Sequence, residues 1–299
     1  MSAPAHVLYA RDLRIELGAR PLLMGIVNAS PDSFSDGGMY RGLDAQLALA
    51  DELIAAGADI LDIGGESAST GRPPVAVQEE IEIVAPLVER VVDELGAIVS
   101  VDTYKPAVAE AAIVAGARIV NDVSALRDVG LAEVCVRSGA ALVLMHTRAA
   151  PRERLQDPDL YGDVVSEVVD FLDERMQTAI AHGVSAEQLI LDPGPDFAKT
   201  PAQTIRLLTE LERLHALGRP LLLAISRKDF IGALTGRAPR ERQAGTLAAL
   251  AHGIEHGGHI FRVHDVAAAA DFIAVRAALE GELEPSRDLA LSEEIRYSR

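Results

Sequence analysis

Residues 22–28 read Leu22-Leu23-Met24-Gly25-Ile26-Val27-Asn28, an apolar run that ends in a polar amide. The run has the length and the bounding turn residues of a buried β-strand. The polar stretch 28–38 that follows contains one proline, three serines, two aspartates and two adjacent glycines. Such a composition predicts a loop, because serine and aspartate side chains compete with the backbone for hydrogen bonds. Residues 22–38 thus predict a strand whose carboxyl end opens into a long loop, a place that often carries function.

Seven further apolar runs of this kind follow along the chain, each ending in polar residues: 60–65, 98–103, 118–124, 141–146, 189–194, 221–227 and 260–265. Between the runs lie patterns of helical period, at 43–56, 77–95, 106–115, 161–181, 200–217 and 241–255. Eight strands that alternate with helices predict an α/β fold in which a parallel sheet closes into a (β/α)8 TIM barrel. The rival is a doubly wound open sheet, which the even strand count and the absence of an early G-x-G-x-x-G turn disfavour.

Both ends of the chain fall outside this alternating pattern. Residues 13–17 alternate between apolar and polar side chains and predict a short strand or hairpin that plugs one end of the core. We therefore divide the chain into an N-terminal strand or hairpin at 1–20, a single (β/α)8 domain at 21–280 and a C-terminal tail at 281–299. One barrel domain accounts for a chain of this length.

Composition limits the class of partner and the compartment. The chain carries 45 acidic and 28 basic residues, a formal net charge of −17. So large a negative charge disfavours nucleic acid or an anionic membrane as the main partner. Cys135 is the single cysteine, and we find neither a run of about 18 apolar residues nor a charged-then-apolar leader. These features predict a cytoplasmic protein in a reducing compartment, with Cys135 as a small core residue.

Polar side chains stand at the end of every predicted strand. In a parallel barrel these ends meet around one mouth, where active sites lie. The residues are Asn28, Asp62, Glu66, Asp102, Thr103, Asn121, Asp122, His146, Asp192, Ser226, Arg227, Lys228, Arg262, His264 and Asp265. The carboxylates and amides of the middle strands suit the hydrogen bonds of a flat, nitrogen-rich heterocycle. A phosphate-like leaving group suits a second set, namely Lys228, Arg262, His264 and Asn28. The alternative is that strand ends are polar only because they approach water.

Two segments near the ends of the barrel pattern carry a resemblance: Met24-Gly25-Ile26-Val27-Asn28 and Arg262-Val263-His264-Asp265-Val266. In these segments and in the strand ends between them, the chain resembles the dihydropteroate synthase family, the folate-pathway enzymes that sulfonamides inhibit. The resemblance implies a (β/α)8 barrel and a homodimer. It also implies a reaction that joins 4-aminobenzoate to 6-hydroxymethyl-7,8-dihydropterin diphosphate and releases diphosphate with magnesium (Mg2+) present.

The resemblance implies roles for individual side chains as well. The catalytic group would comprise Lys228, Arg262, His264 and Asn28, with Asn28 also at the metal. The pterin pocket would comprise Asp102, Asn121, Asp192, Met145, Phe197 and Lys228. Two loops, 28–38 and 66–74, would close over the site, and the aminobenzoate would neighbour Phe34, Ser226, Thr70, Arg72 and Pro73.

Several positions depart from the family's usual sequence. The usual G-G-E-S-T-R-P-G is replaced by the longer Gly64-Gly65-Glu66-Ser67-Ala68-Ser69-Thr70-Gly71-Arg72-Pro73-Pro74. Single-residue departures are Ala29, Ser30, Ala224, Asp196 and Ala198. The last two replace glycines of the usual D-P-G-x-G-F-G-K-T. Glycine at such positions serves either a close approach of the backbone to a ligand or a positive φ.

These departures leave two hypotheses about the reaction open. The first is an active dihydropteroate synthase, because the polar ring is intact. The second is a diverged paralogue with weak or no synthase activity, because the second loop and three glycine positions have changed. A remote alternative is a pterin-dependent methyltransferase on the same barrel. The sequence shows no cobalamin or zinc partner module for that reaction, and the Ser226-Arg227-Lys228 motif favours a synthase.

Other polar residues have mainly structural interpretations. Three histidines with helical spacing would suit zinc, but we expect them at a helix end, where the helix dipole favours imidazole: His252, His256 and His259. Three arginines are expected on a solvated loop face, from which they could steer anions: Arg148, Arg152 and Arg154. Asp62 is expected to orient its neighbours.

Overall fold

The computed structural model describes residues 4–29, 42–66, 74–292 and residue 296. The strands are β1 (His6–Ala10), β2 (Leu13–Leu17), β3 (Leu22–Asn28), β4 (Ile60–Gly64), β5 (Ile98–Asp102), β6 (Ile119–Asp122), β7 (Ala141–Met145), β8 (Leu189–Asp192), β9 (Leu222–Leu223) and β10 (Ile260–Val263). The helices are α1 (Leu43–Ala55), α2 (Val77–Leu95), α3 (Pro106–Val114), α4 (Gly130–Ser138), α5 (Val164–Ala181), α6 (Pro201–Thr209), α7 (Asp229–Thr235), α8 (Gln243–Glu255) and α9 (Val266–Leu279). Among the described residues, no helix combines the length and the apolar character that a membrane crossing requires.

The two edges of the large sheet meet and close the barrel. Eight parallel strands follow the order β8-β7-β6-β5-β4-β3-β10-β9, and Leu191 at one edge forms a parallel bridge with Leu221 at the other. The Leu191 amide also donates a hydrogen bond of 2.9 Å to the Pro220 carbonyl. The predicted (β/α)8 TIM barrel is therefore confirmed, and the open doubly wound sheet is excluded.

Side chains of β3 are buried on both sides of the barrel wall. Leu22 and Met24 belong to the apolar cluster inside the barrel, whereas Leu23 and Val27 pack in the cluster between strands and helices. Alternate residues of a strand point to opposite faces. Because both faces are covered, the strands appear in the sequence as nearly continuous apolar runs.

The predicted N-terminal hairpin is present and plugs the barrel. Strands β1 and β2 pair antiparallel, with Leu8 opposite Ile15. Leu8, Ala10 and Leu17 are buried and join the cluster inside the barrel, where Leu22 also packs. Since Leu22 begins β3, the hairpin closes the amino-terminal end of the barrel and leaves the carboxyl end for the site.

Element boundaries differ from the predictions at three places. The run 221–227 pairs with neighbouring strands only at Leu221 and in β9, because the chain then leaves the sheet and turns towards α7. The helix predicted at 200–217 breaks at Glu210, whose φ of −110° is not helical, and continues as a 3-10 turn. Helix α5 begins later than predicted because the Asp163 side chain caps it, accepting a hydrogen bond from the Ser166 amide.

The three histidines lie near the end of α8, as predicted. His256 caps this helix, and its ring stacks on that of His252 at 4.0 Å between centroids. His259 Nδ1 accepts a hydrogen bond of 3.1 Å from the Leu221 amide, so Nε2 carries the proton and donates to the Pro4 carbonyl at 2.8 Å. His259 therefore joins the N-terminal segment to the barrel as a neutral ring. No three metal-ligating side chains converge in the ranges that the structure describes.

We expect the free energy of unfolding of the barrel to decrease as pH is lowered, because of His259. Burial lowers the pKa of His259 to about 4, whereas imidazole in an unfolded chain titrates near 6.5. The unfolded state therefore binds the proton first, and stability declines as pH falls from about 6.5 towards 4. Urea unfolding of the parent and of His259→Gln at pH 7.5 and 5.0 measures this effect. The parent should lose about 2 kcal/mol more than the variant over that interval. Equal losses in the two proteins would show that His259 is protonated as readily in the folded chain as in the unfolded chain.

Candidate active site

A cavity of about 290 Å³ opens at the carboxyl ends of the strands. Nine of the residues to which the resemblance assigns a role line it: Asn28, Asp102, Asn121, Met145, Asp192, Phe197, Lys228, Arg262 and His264. Ser226 lines an adjoining recess of about 640 Å³, whose wall also includes Lys228, Arg262 and His264. The other four residues to which the resemblance assigns a role lie outside the described part of the chain: Phe34, Thr70, Arg72 and Pro73.

Buried ion pairs connect three strands beneath the cavity. Arg262 on β10 donates from Nε to Asp62 Oδ2 at 2.6 Å and from Nη2 to Asp102 Oδ2 at 2.8 Å. Asn121 Nδ2 donates to the same Asp62 oxygen at 3.0 Å. Asp62 is fully buried, and an unpaired charge at such a place would be strongly destabilising. Asp62 thus contacts and orients two residues predicted for the site.

Burial raises the pKa of two carboxyl groups that line the cavity. It raises the pKa of Asp102 to about 7, although Arg262 opposes the shift. It raises the pKa of Asp192 to about 6, although the Gly194 amide, which donates to Asp192 Oδ1 at 2.7 Å, opposes the shift. Asp192 is therefore mostly ionised at pH 7.

Cationic and aromatic groups form another part of the cavity wall. Lys228 Nζ lies 4.3 Å from the centroid of the Phe197 ring, within reach of a cation–π interaction. Burial lowers the pKa of Lys228 and lowers the pKa of His264 to about 3. His264 Nδ1 lies 3.0 Å from Ser226 Oγ. At neutral pH His264 therefore contributes hydrogen bonds, and Lys228 and Arg262 contribute positive charge.

The loop between Asp192 and α6 is held from below by a buried lysine. Lys199 Nζ donates to the carbonyls of Gly194 at 2.9 Å and Phe197 at 3.0 Å, and lies 2.8 Å from His146 Nδ1. Burial lowers the pKa of Lys199 to about 7 and that of His146 to about 2. His146 is consequently neutral and accepts a hydrogen bond from Lys199. Nothing in the sequence pattern indicated this contact, because both residues belong to separate strand-end segments.

Two departures from the family's usual glycines lie in this loop. Asp196 has φ of 67° and Ala198 has φ of 50°, which confirms that these positions need a positive φ. Both side chains stay out of the cavity, since neither is among the described residues that line it. The third departure, Ala224, is buried and does line the cavity.

Around Glu66, which was predicted at the mouth, lie charged residues that the sequence interpretation did not place there. Lys105 Nζ contacts Glu66 Oε2 at 2.8 Å and Glu80 Oε2 at 2.5 Å, and Tyr104 donates to Glu66 Oε1 at 2.8 Å. Arg152 lies 3.4 Å from Glu66, lines the cavity and has a side chain only 10% exposed. The prediction of a solvated loop face is therefore wrong for Arg152, because the acidic cluster attracts it inward.

The other two arginines of that prediction remain accessible to solvent. The Arg154 side chain is 67% exposed and that of Arg148 is 40% exposed. The Arg148 guanidinium lies over the Tyr161 ring at 4.7 Å. Cys135 is buried, as predicted.

Comparison with known proteins supports the family resemblance of the sequence. The family model for pterin binding enzymes matches residues 24–264. A dihydropteroate synthase of Bacillus subtilis (strain 168) is 42% identical over 262 residues, which cover 87% of this chain and 89% of the relative. The chain belongs to the dihydropteroate synthase family. The dihydropteroate synthase of Escherichia coli (strain K12) is 39% identical over 259 residues. The aligned residues cover 87% of this chain and 91% of the E. coli protein.

Solved structures of dihydropteroate synthases share the fold of the chain. The Xanthomonas albilineans enzyme with 4-aminobenzoic acid is 44% identical, with a TM-score of 0.81 over 89% of this chain and 95% of that chain. The Yersinia pestis enzyme in a sulfonamide drug complex is 36% identical, with a TM-score of 0.86 over 93% of this chain and 100% of that chain.

Gly194 should tolerate no side chain. A Cβ on Gly194 would lie 2.1 Å from the His146 carbonyl oxygen, and its φ is 64°. Gly96 has a matching φ of 65° with nothing within 4 Å of such a Cβ. Gly96→Ala should therefore cost about 1 to 2 kcal/mol through backbone strain alone. Gly194→Ala should cost a further 1 to 3 kcal/mol or so through overpacking. Urea unfolding measures the loss of stability in both variants. Equal losses would show that the His146 backbone moves away from the new Cβ without an energetic penalty.

Proposed function

We propose that the protein is an active dihydropteroate synthase, which joins 4-aminobenzoate to 6-hydroxymethyl-7,8-dihydropterin diphosphate and releases diphosphate. The observation that carries this proposal is the convergence of Asp102, Asn121, Asp192, Lys228 and Arg262 on one cavity. Relatives named dihydropteroate synthase, which match most of the chain, support it.

The cavity offers a place for a flat, nitrogen-rich ring. Asp192, ionised at pH 7, would accept hydrogen bonds from ring N–H groups, and the Asn121 amide can both donate and accept. Met145 and Phe197 would contact the ring's faces. The pterin is held in this proposal by fixed polar groups on strand ends, which limits the orientations of its reactive methylene.

Positive groups of the cavity suit the departure of diphosphate. The C–O bond to diphosphate breaks with both electrons on oxygen, and the dihydropterin methylene becomes cationic. The amine of 4-aminobenzoate then forms the new C–N bond and loses a proton. Lys228 and Arg262 would stabilise the charge that develops on the leaving oxygen, and neutral His264 would donate a hydrogen bond. Ser226 lines the adjoining recess, where we place the aminobenzoate.

The donor chemistry of Asn28 fits the proposed Mg2+. Magnesium keeps several waters and takes few protein oxygens beside substrate phosphates. Asn28 ends β3 and lines the cavity together with Arg262 and His264, so its amide oxygen can supply such a ligand. When bound, the ion would neutralise charge on the diphosphate.

The diverged-paralogue alternative rests on specific sequence departures but has less structural support. Asp196 and Ala198 have the positive φ that favours glycine, and neither side chain lines the cavity. The lengthened loop 66–74 lies largely outside the described residues, and Ala224 lines the cavity. The relatives give no support to the methyltransferase. The homodimer remains a prediction.

Release of diphosphate from both substrates with Mg2+ tests the proposed reaction. The parent should turn over, and Arg262→Lys should lower kcat/KM by roughly 100-fold, because a bidentate cation becomes a point charge. Arg206→Lys on the exposed face of α6 is the matched control and should leave kcat/KM unchanged. A sulfonamide should raise the apparent KM for 4-aminobenzoate. A parent that binds pterin and releases no diphosphate would instead establish the diverged-paralogue alternative.

Pterin binding should weaken in acid. Because the pKa of Asp192 is about 6, its carboxylate is lost as pH falls below that value, and with it an acceptor for ring N–H groups. Fluorescence titration with 6-hydroxymethylpterin between pH 5 and 8 should show the affinity declining below about pH 6. Asp192→Asn should bind weakly at every pH without this decline. The same decline in Asp192→Asn would assign the pH effect to another group.

A further inference from the structure

The Asp196 side chain bridges two loops that are far apart in sequence. Asp196 Oδ2 accepts a hydrogen bond of 2.5 Å from the Asp229 amide, which is the first residue of α7. On its other side, Asp196 Oδ1 accepts a hydrogen bond of 3.1 Å from Thr204 Oγ1 of α6. Thr204 Oγ1 in turn accepts one of 3.0 Å from the Asp196 amide. The carboxylate thus ties the loop after β8 to the start of α7.

Each residue at the ends of this tie is next to a cavity residue. Phe197 follows Asp196, and Lys228 precedes Asp229. Lys228 Nζ lies 4.3 Å over the Phe197 ring, and both residues line the cavity. The hydrogen bond from Asp229 to Asp196 therefore fixes the spacing between the aromatic and the cationic wall of the cavity. Glycine, the family's usual residue at 196, has no side chain with which to form this bond.

The tie is compatible with the backbone and the charges around it. Aspartate is among the few non-glycine residues that adopt a positive φ without large strain, and Asp196 has φ of 67°. Its carboxylate also satisfies an amide at a helix start, where negative charge is favoured. Burial lowers the pKa of Lys228, and among the neighbouring charges Asp196 opposes that shift most, ahead of Asp192. Asp196 therefore helps to hold Lys228 in place and favours its protonated form.

We propose that Asp196 is a positioning residue that holds Phe197 and Lys228 at their spacing for the pterin, an inference that rests on the proposed function of this site. Asp196 itself touches no substrate. It acts through the Asp229 amide on one side and through its neighbour Phe197 on the other.

The test compares three variants by equilibrium binding of 6-hydroxymethylpterin, followed by its fluorescence. Asp196→Gly removes the tie and relieves the positive φ, and it should raise Kd by roughly three- to tenfold. Asp196→Asn keeps a neutral acceptor for the Asp229 amide, and it should restore most of the affinity. Asp163→Gly removes an aspartate that caps α5 away from the cavity. This control should lower Tm while leaving Kd unchanged.

Kinetics and thermal unfolding separate positioning from mere stabilisation. In Asp196→Gly we expect the KM for the pterin diphosphate to rise with Kd, while the KM for 4-aminobenzoate changes by less than about twofold. Thr204→Val keeps the tie to Asp229 and should bind pterin like the parent. Asp196→Ala also removes the carboxylate, and it should raise Kd in the same way if Asp196→Gly unfolds.

Two results would overturn the inference. One is an unchanged Kd in folded Asp196→Gly, and the other is an equal loss of affinity in Asp196→Asn, which would assign the effect to charge alone. Binding requires no turnover, so the outcome is distinguishable from failure of the proposed function. A parent that binds pterin, shows the variant pattern and releases no diphosphate would overturn the synthase proposal and leave the positioning role intact.

Discussion

The mouth of the barrel depends on the pairing of Arg262 with Asp62 and Asp102. The three side chains come from β10, β4 and β5. Asp62 is fully buried, and the side chains of Arg262 and Asp102 are only 20% and 22% exposed. Removing one partner from such a set leaves an uncompensated buried charge, which typically costs about 3 to 5 kcal/mol. Asn121 on β6 donates to the same Asp62 oxygen. These contacts therefore set the relative positions of four strand ends that surround the cavity.

The loop from 194 to 199 is the second constraint on the site. It bends sharply enough that three of its residues have positive φ, namely Gly194, Asp196 and Ala198. A buried lysine binds two of its carbonyls from below, and Asp196 binds the start of α7 from the side. Contacts of this kind keep the loop's shape although only one of these three residues is a glycine. Asp196 and Ala198 thus have a backbone conformation that favours glycine, within a loop that these contacts hold in place.

Charge is distributed very unevenly between the surface and the cavity. The chain as a whole carries a formal charge of −17, yet the recess beside the cavity is lined by Arg227, Lys228, Arg240 and Arg262. Burial amplifies such local charges, because the effective dielectric constant falls away from water. A strongly acidic protein can therefore still bind an anion, and net charge alone would have argued against the substrates proposed here.

The sequence by itself determined the barrel, the plugging hairpin and most of the polar ring. Period, run length and the identity of the residue that ends each strand are local properties, and closure of a parallel barrel brings such ends together by geometry. Only the tertiary structure decided the roles of Arg152, Glu80, Lys105, Lys199 and Asp196. From sequence alone, an acidic residue on a helix or an arginine in a loop is predicted to be exposed to solvent. No sequence pattern reveals which distant segment covers it. Burial and pairing of those charges arise from contacts between residues far apart in the chain, and these contacts exist only once the barrel has closed.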